Sequence, residues 1–360
     1  MKSTDTKKYL FLRMESFYNL PKGVGMNRKY LSFLAVSAFV WALVGCGAEQ
    51  GGTQKTKVWN VASIQVEGHP QNEAVKKMGE IFGKLTNGRY RFEVFPNELL
   101  GPQRETLEQV QYGIIEMAIM GNPNVSSFED GFLTFEMPFL FDDEAHQRRF
   151  FTTSPLVEKL FSRTEKYNFK IVTYFTAGTR NMYAKKPIRT LADLKGMKIR
   201  TAESDTYAKM MKALGGAATP MSFGEVFTAI QSGVVDGAEN NEASYSSTKH
   251  YEIAPYYSYT RHLIVPDYLI MNNKLYSSLS NEDKAALQEA ARQAADYEVE
   301  LWQKDAQERL AQVKEGGATV VYDVDLKALQ QAVAPLHAEL TQNPEIKEVY
   351  DAVKVTSELK

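Results

Sequence analysis

The chain of 360 residues is 44% apolar and 24% charged, with a formal net charge of −2. That length suits roughly two domains at ~100–200 residues each, the apolar share suits a packed core, and the near-zero charge excludes the basic footprint of a nucleic-acid binder. A single cysteine, Cys46, excludes an intramolecular disulfide and a thiol nucleophile anywhere else.

Asn27, Arg28 and Lys29 precede an apolar run over residues 30–44 that ends in LVGC. The run is shorter than the ~20 apolar residues of a spanning helix, and its basic front and small-residue exit are those of a secretion signal. Residues 1–25 lie upstream of that signal and of Met26, which fits a start codon at Met26 and not at Met1. Residues 47–56 read as a flexible tether.

From there strands and helices alternate. KVWNVAS, from Lys57, reads as a strand, residues 73–85 as a helix stopped at Asn87 and Gly88, and RYRFEVFP as a second strand closed by Pro96. A helix over 105–112, a strand over 115–120, a helix over 144–161 and a strand over 170–175 continue the order, which argues for an α/β domain. A second α/β set has a helix over 205–214 stopped by Gly215 and Gly216. Ser222 and Glu225 form a capping-box pattern that starts a helix near Phe223 and runs it to Gly233. Asp236 and Gly237 then read as a turn, leaving Asn240 and Asn241 at or just after it. Residues 280–314 contain neither proline nor glycine, so they predict one helix ~50 Å long at 1.5 Å per residue, longer than one small domain is wide. A strand over 319–322 and helices over 325–340 and 344–353 complete the chain.

The most specific stretch, residues 178–241, contains GTR, DLKGMKIR, TPMSFGEVFTAIQ and GVVDGAEN. In this order and spacing the chain resembles the solute-binding proteins of tripartite ATP-independent periplasmic (TRAP) transporters, the DctP family, over about residues 57–353. The resemblance implies two hinged α/β lobes crossed by one long helix, residues 57–177 with 266–306 forming the first and 178–265 with 307–360 the second. The lobes would close on a small organic acid that is passed to TRAP membrane permease subunits. It implies that Arg200, from KIR, takes the ligand carboxylate through its planar fork, that Arg180 adds a polar contact, and that Asn240 and Phe223 face the ligand. His69, Glu73 and Asn122 are weaker matches from the first lobe, with Asn124 beside them. Asn241, doubling Asn240, resembles the branch for sugar acids such as glucuronate and galacturonate, although Glu242 stands where that branch has proline. LVGC likewise resembles a lipobox, which implies a lipid anchor on Cys46 and an extracytoplasmic monomer.

Each residue also has a structural reading: Arg180 could pair with Asp193 or Asp205, Asn240 could serve a turn, His69 could cap a helix, Glu73 could complement a helix dipole, and Phe223 could pack in a core. Four-carbon dicarboxylates are the alternative ligands, and a sugar-acid enzyme or a sensor subunit the alternative roles. No enzyme signature supports the former: the five histidines lack metal-ligand spacing, and no GxSxG elbow or phosphate loop is present. Neither cofactor nor metal is expected. Asp142, Asp143 and Glu144 read as a helix start and not as a catalytic cluster.

Overall fold

The structure, a computed structural model, describes residues 55–357; Cys46, the signal segment and most of the tether lie outside the described residues. The strands are β1 (Lys57–Ala62), β2 (Tyr90–Phe95), β3 (Met117–Gly121), β4 (Phe169–Ala184), β5 (Lys198–Thr201), β6 (Ala217–Pro220), β7 (Gly237–Asn240), β8 (Tyr256–Asn272) and β9 (Thr319–Val321). They form one mixed sheet in the order β2-β1-β3-β8-β4-β7-β5-β6, with β9 against β8.

Strands β1, β2 and β3 run parallel, as do β5, β6 and β7, because helical crossovers join them. Between these two sets lie the long antiparallel strands β4 and β8, which belong to both halves of the sheet. Strand β8 pairs with β3 through Asp267–Met271, and β4 pairs with β7 through Asn181–Ala184. The β4/β8 register shifts between Thr176 and Thr179, where Gly178 has φ +64° and a Cβ would sit 2.6 Å from the Trp302 ring. A side chain there would be both strained and blocked.

The first helix, Pro70–Leu85, starts earlier than expected because His69 caps it: its Nδ1 accepts from the Gln71 N–H at 3.3 Å, and proline occupies the first helical position. The helix expected over 144–161 divides into Glu144–Thr153 and Leu156–Ser162, because Pro155 has no N–H to continue the ladder. Asp143 caps the first piece by accepting from the His146 N–H, the role read for the Asp142–Glu144 cluster.

Helix Asn281–Glu315 forms without interruption, capped by Ser280. Its Leu287, Ala290 and Ala294 pack with Trp59, Phe82 and Ile119 under one half of the sheet. Farther along, Val313 joins Tyr183, Tyr245 and Tyr257 under the other. The small residues at the first contact bring the helix close to Pro70–Leu85, and each buried Phe or Leu there contributes ~1.5–3 kcal/mol. Helix Pro344–Ser357, expected in the second lobe, packs against Asp130–Glu136 and Glu144–Thr153, expected in the first.

Candidate functional site

A cleft between the two halves of the sheet collects Gln65, Glu98, Gln103 and Asp267 on one side and Arg180, Arg200, Phe223 and Asn240 on the other. The ends of the parallel strands supply its floor, where crossovers leave side chains free to point outward.

Arg200 sits in β5 and is 5% exposed. Its Nε and Nη2 both donate to the Met221 carbonyl, at 3.1 and 2.7 Å, and its guanidinium lies 5.8 Å from the Phe223 ring centre. Among the described residues it forms no ion pair with any carboxylate. Burial pulls its pKa below the ordinary arginine value, with the Glu239 charge acting against that pull. A guanidinium nonetheless remains protonated, so the cleft holds a cation aimed at a guest it lacks within the chain.

Arg180, on β4, is built differently. Its Nε and Nη2 make a fork with the two carboxylate oxygens of Glu239 at 2.5 and 2.7 Å, and Nη2 also reaches the Glu239 carbonyl at 3.0 Å. The partner is Glu239, on β7, and neither Asp193 nor Asp205. Although burial opposes ionisation of Glu239, the Arg180 charge outweighs it and holds the carboxyl at about 2. His262 stands 3.5 Å away from the same carboxylate.

Asn240 ends β7 and Asn241 caps the helix Glu242–Ser247, so a short strand separates both from the turn expected at Asp236 and Gly237, and Gly237 itself opens that strand. The Asn241 side chain is largely committed: Oδ1 accepts from the Ser244 N–H and Nδ2 donates to the Ala177 carbonyl, both at 2.7 Å. Asn240 uses only Oδ1, on the Asn241 N–H, and its Nδ2 bonds to no other described residue. Ser222 makes no cap bond, the helix opens as a 3-10 turn at Phe223–Glu225, and Ser222 lines the cleft instead. Phe223 is half-buried and faces Arg200. Glu242 begins its helix and is not part of the cleft lining.

In the first half the sequence-derived candidates hold mostly structural positions. His69 is buried outside the cleft lining, its pKa lowered to about 3 by burial and then by Arg309, so it is neutral. Glu73 pairs with Lys76 at 2.8 Å in the first turn of its helix. Asn122 reaches the cleft wall, but its Oδ1 accepts from Tyr268 and its Nδ2 donates to the Phe132 carbonyl and Glu136. Asn124 lines the cleft and donates to Gln103 Oε1 at 2.8 Å.

The groups the sequence reading missed are Gln65, Glu98, Gln103, Tyr207 and Asp267. Asp267 carried a signal, an acid inside the apolar run of residues 263–271. Burial pushes its carboxyl up to about 6, and the Gln71 hydrogen bond and the Arg180 charge act against that rise. Glu98 crosses the cleft: its Oε1 accepts from the Gly224 N–H at 3.1 Å, and a Cβ on residue 224 would meet its Oε2 at 2.5 Å. Among the described residues no group of His, Cys, Asp or Glu is arranged to hold a metal ion.

Fold and cleft together define a receptor that encloses a small anionic solute between two lobes. The model of DctP, bacterial extracellular solute-binding protein, family 7, matches residues 61–343, and the chain belongs to that family. It is similar to a TRAP periplasmic solute-binding protein of Anaerococcus prevotii solved with bound α/β-D-glucuronate, at 34% identity and TM-score 0.81, covering 84% of this chain and 99% of that one. A TRAP solute-binding protein of Xanthobacter autotrophicus with bound β-D-galacturonate is 33% identical at TM-score 0.79, covering 82% and 99%. The 2,3-diketo-L-gulonate-binding periplasmic protein YiaO of Escherichia coli is 30% identical over 73% of this chain and 80% of its own length. The chain is thus an extracytoplasmic solute-binding protein with the two-lobed fold of its family.

Proposed function

We propose that this protein captures a hexuronate, of the D-glucuronate or D-galacturonate type, and delivers it to TRAP permease subunits in the membrane. The observation that carries this reading is Arg200: a buried guanidinium with no carboxylate partner among the described residues, open to a cleft lined by both halves of the sheet. A ligand carboxylate would complete a fork, and a buried pair of that kind repays desolvation only when its geometry is good. Asn240 Nδ2 and the Tyr207 hydroxyl, neither bonded to another described residue, add neutral partners for sugar hydroxyls. The solved relatives with bound uronates favour the same class of ligand.

Closure follows from contacts to both lobes, since only differential affinity for the closed state shifts the equilibrium. We place the hinge at residues 177–178 and 265–266, beside the β4/β8 register shift, with the third crossing between the expected lobes at 306–307 inside the long helix. The protein works by binding and release and not by turnover. A secreted monomer held to a membrane by a lipid on Cys46 completes the proposal, and intact-mass measurement of membrane-extracted protein tests that part.

A thermal-shift panel tests the ligand class, because a solute that binds only the folded form raises the melting temperature with concentration. Stabilisation by D-glucuronate or D-galacturonate but not by succinate or malate is the expected result. The reverse order would move the assignment to four-carbon dicarboxylates.

A further inference from the structure

Across the cleft from Arg200 stands a carboxylate, that of Asp267. Asp267 lies in β8 opposite Gly121 of β3 and lines the cleft. Its Oδ2 accepts from Gln71 Nε2 at 2.9 Å, and the same amide donates to the Thr176 carbonyl at 2.9 Å, so a fully buried glutamine fixes the rotation of the carboxylate. Its Oδ1 accepts no hydrogen bond from the described residues. That oxygen lies 3.5 Å from the point where a Cβ on Gly121 would stand, and Gln103 Oε1 lies 3.2 Å from the same point. Glycine at 121 therefore leaves room in front of two acceptor oxygens on the wall that does not hold Arg200.

The charges of the site make this placement selective. Glu239 already neutralises Arg180 and the exposed Arg104 pairs with Glu203, so Arg200 is the buried cation left for a ligand anion, while Asp267 and Glu98 add negative charge on the facing wall. We infer that Asp267 sets the specificity of this cleft, accepting a hydrogen bond from a ligand hydroxyl and rejecting any ligand that brings a second carboxylate to that wall. The cleft then takes hydroxylated monocarboxylic acids, and the inference rests on the proposed reading of Arg200. An ionised acceptor held at fixed rotation suits an O–H donor. A like charge against it is costly where water is scarce, which is how a site excludes near relatives of its ligand.

The test compares D-glucuronate with D-glucarate, which keeps the hydroxylated chain and adds a second carboxylate, by calorimetry on the full chain. The unaltered protein is expected to prefer D-glucuronate. In Asp267→Asn the amide oxygen can still accept from Gln71, so the NH2 group faces the cleft and an acceptor becomes a donor. D-Glucuronate is expected to weaken roughly 10- to 100-fold, the usual loss of a charge-assisted hydrogen bond, and the preference over D-glucarate to shrink or reverse. Asp267→Ala, checked alongside by thermal melting, should also lose the preference. An unchanged glucuronate-to-glucarate ratio in both variants would overturn the inference, including the case in which both ligands weaken equally through a structural defect. Failure of the unaltered protein to bind any hydroxylated monocarboxylate would instead overturn the reading of Arg200, and this inference with it.

Discussion

On the second-half wall of the cleft the charged groups are Arg180, Arg200 and the exposed Glu203, and the polar residues expected there from the sequence lie between positions 178 and 241. The first-half wall is rich in carboxylates and amides, with the exposed Arg104 paired to Glu203 at 3.8 Å, and its Gln65, Glu98, Gln103 and Asp267 come from four separate elements or loops spread over about 200 residues. The basic wall itself holds two unlike arginines. Arg180 is satisfied internally by Glu239, while Arg200 has only a carbonyl. The difference teaches that a family signature rich in arginine does not count ligand charges: one of these cations belongs to the architecture, and the other is available to a guest.

The largest expected effect comes from making the two arginines alike. Glu239→Ala leaves Arg180, largely shielded at the cleft wall, without its carboxylate, so urea denaturation should show a loss of ~3 kcal/mol, the lower end of the usual cost of breaking a buried pair from one side. If the variant is as stable as the parent, the pair is not the structural member of the comparison. Any surviving folded protein should gain affinity for dianions relative to monoanions.

A second effect lies at the seam between the walls. Glu136 is fully buried, accepts from Asn122 and Ser126 on one side and from the Ser204 hydroxyl on the other, and burial pushes its carboxyl up to about 7 against those hydrogen bonds. The folded state thus holds the Glu136 proton more tightly than the unfolded chain does. This contribution is fully present below the unfolded value near 4.5 and is lost as pH rises through about 7. Stability of the parent relative to Glu136→Gln should fall by roughly 3 kcal/mol between pH 4.5 and 7.5, at 1.36 kcal/mol per pKa unit. Parallel profiles for the two proteins would show that Glu136 does not titrate in that range.

The smallest effect concerns closure. Glu98→Ala removes the bond to the Gly224 N–H across the cleft, so D-glucuronate should bind about fivefold more weakly, equivalent to ~1 kcal/mol for one hydrogen bond. Unchanged affinity would mean that this contact does not help hold the lobes together around the ligand.

The α/β order and the long helix are legible in the sequence because each depends on local signals: alternation, caps, and a run without proline or glycine. Arg200 stands out through the family resemblance of its KIR segment, and the structure places it in the cleft lining. Strand β8 was not read at all, because its apolar stretch is interrupted by Arg261, Pro266 and Asp267 and shows no clean alternation. That omission hid Asp267. Glu98 was hidden for another reason: it and Asn97 adopt positive φ, 57° each, a conformation that glutamate rarely announces. The resemblance points His69 and Asn122 at the ligand, but His69 lies outside the cleft lining with Nδ1 used as a helix cap, and a buried amide network occupies both polar atoms of the Asn122 side chain. A pattern match gives position along the chain, and it leaves open whether the polar atoms are already taken.

Calorimetry of D-glucuronate on Arg200→Met is the most direct check of the central claim, since methionine fills the buried space without the charge. Affinity should fall by ~2–5 kcal/mol, the loss expected when one partner of a buried charged contact is removed, while the melting temperature without ligand stays close to that of the parent because no carboxylate is orphaned. Affinity within about threefold of the parent, a difference under ~1 kcal/mol, would contradict the assignment of Arg200 as the ligand's carboxylate partner.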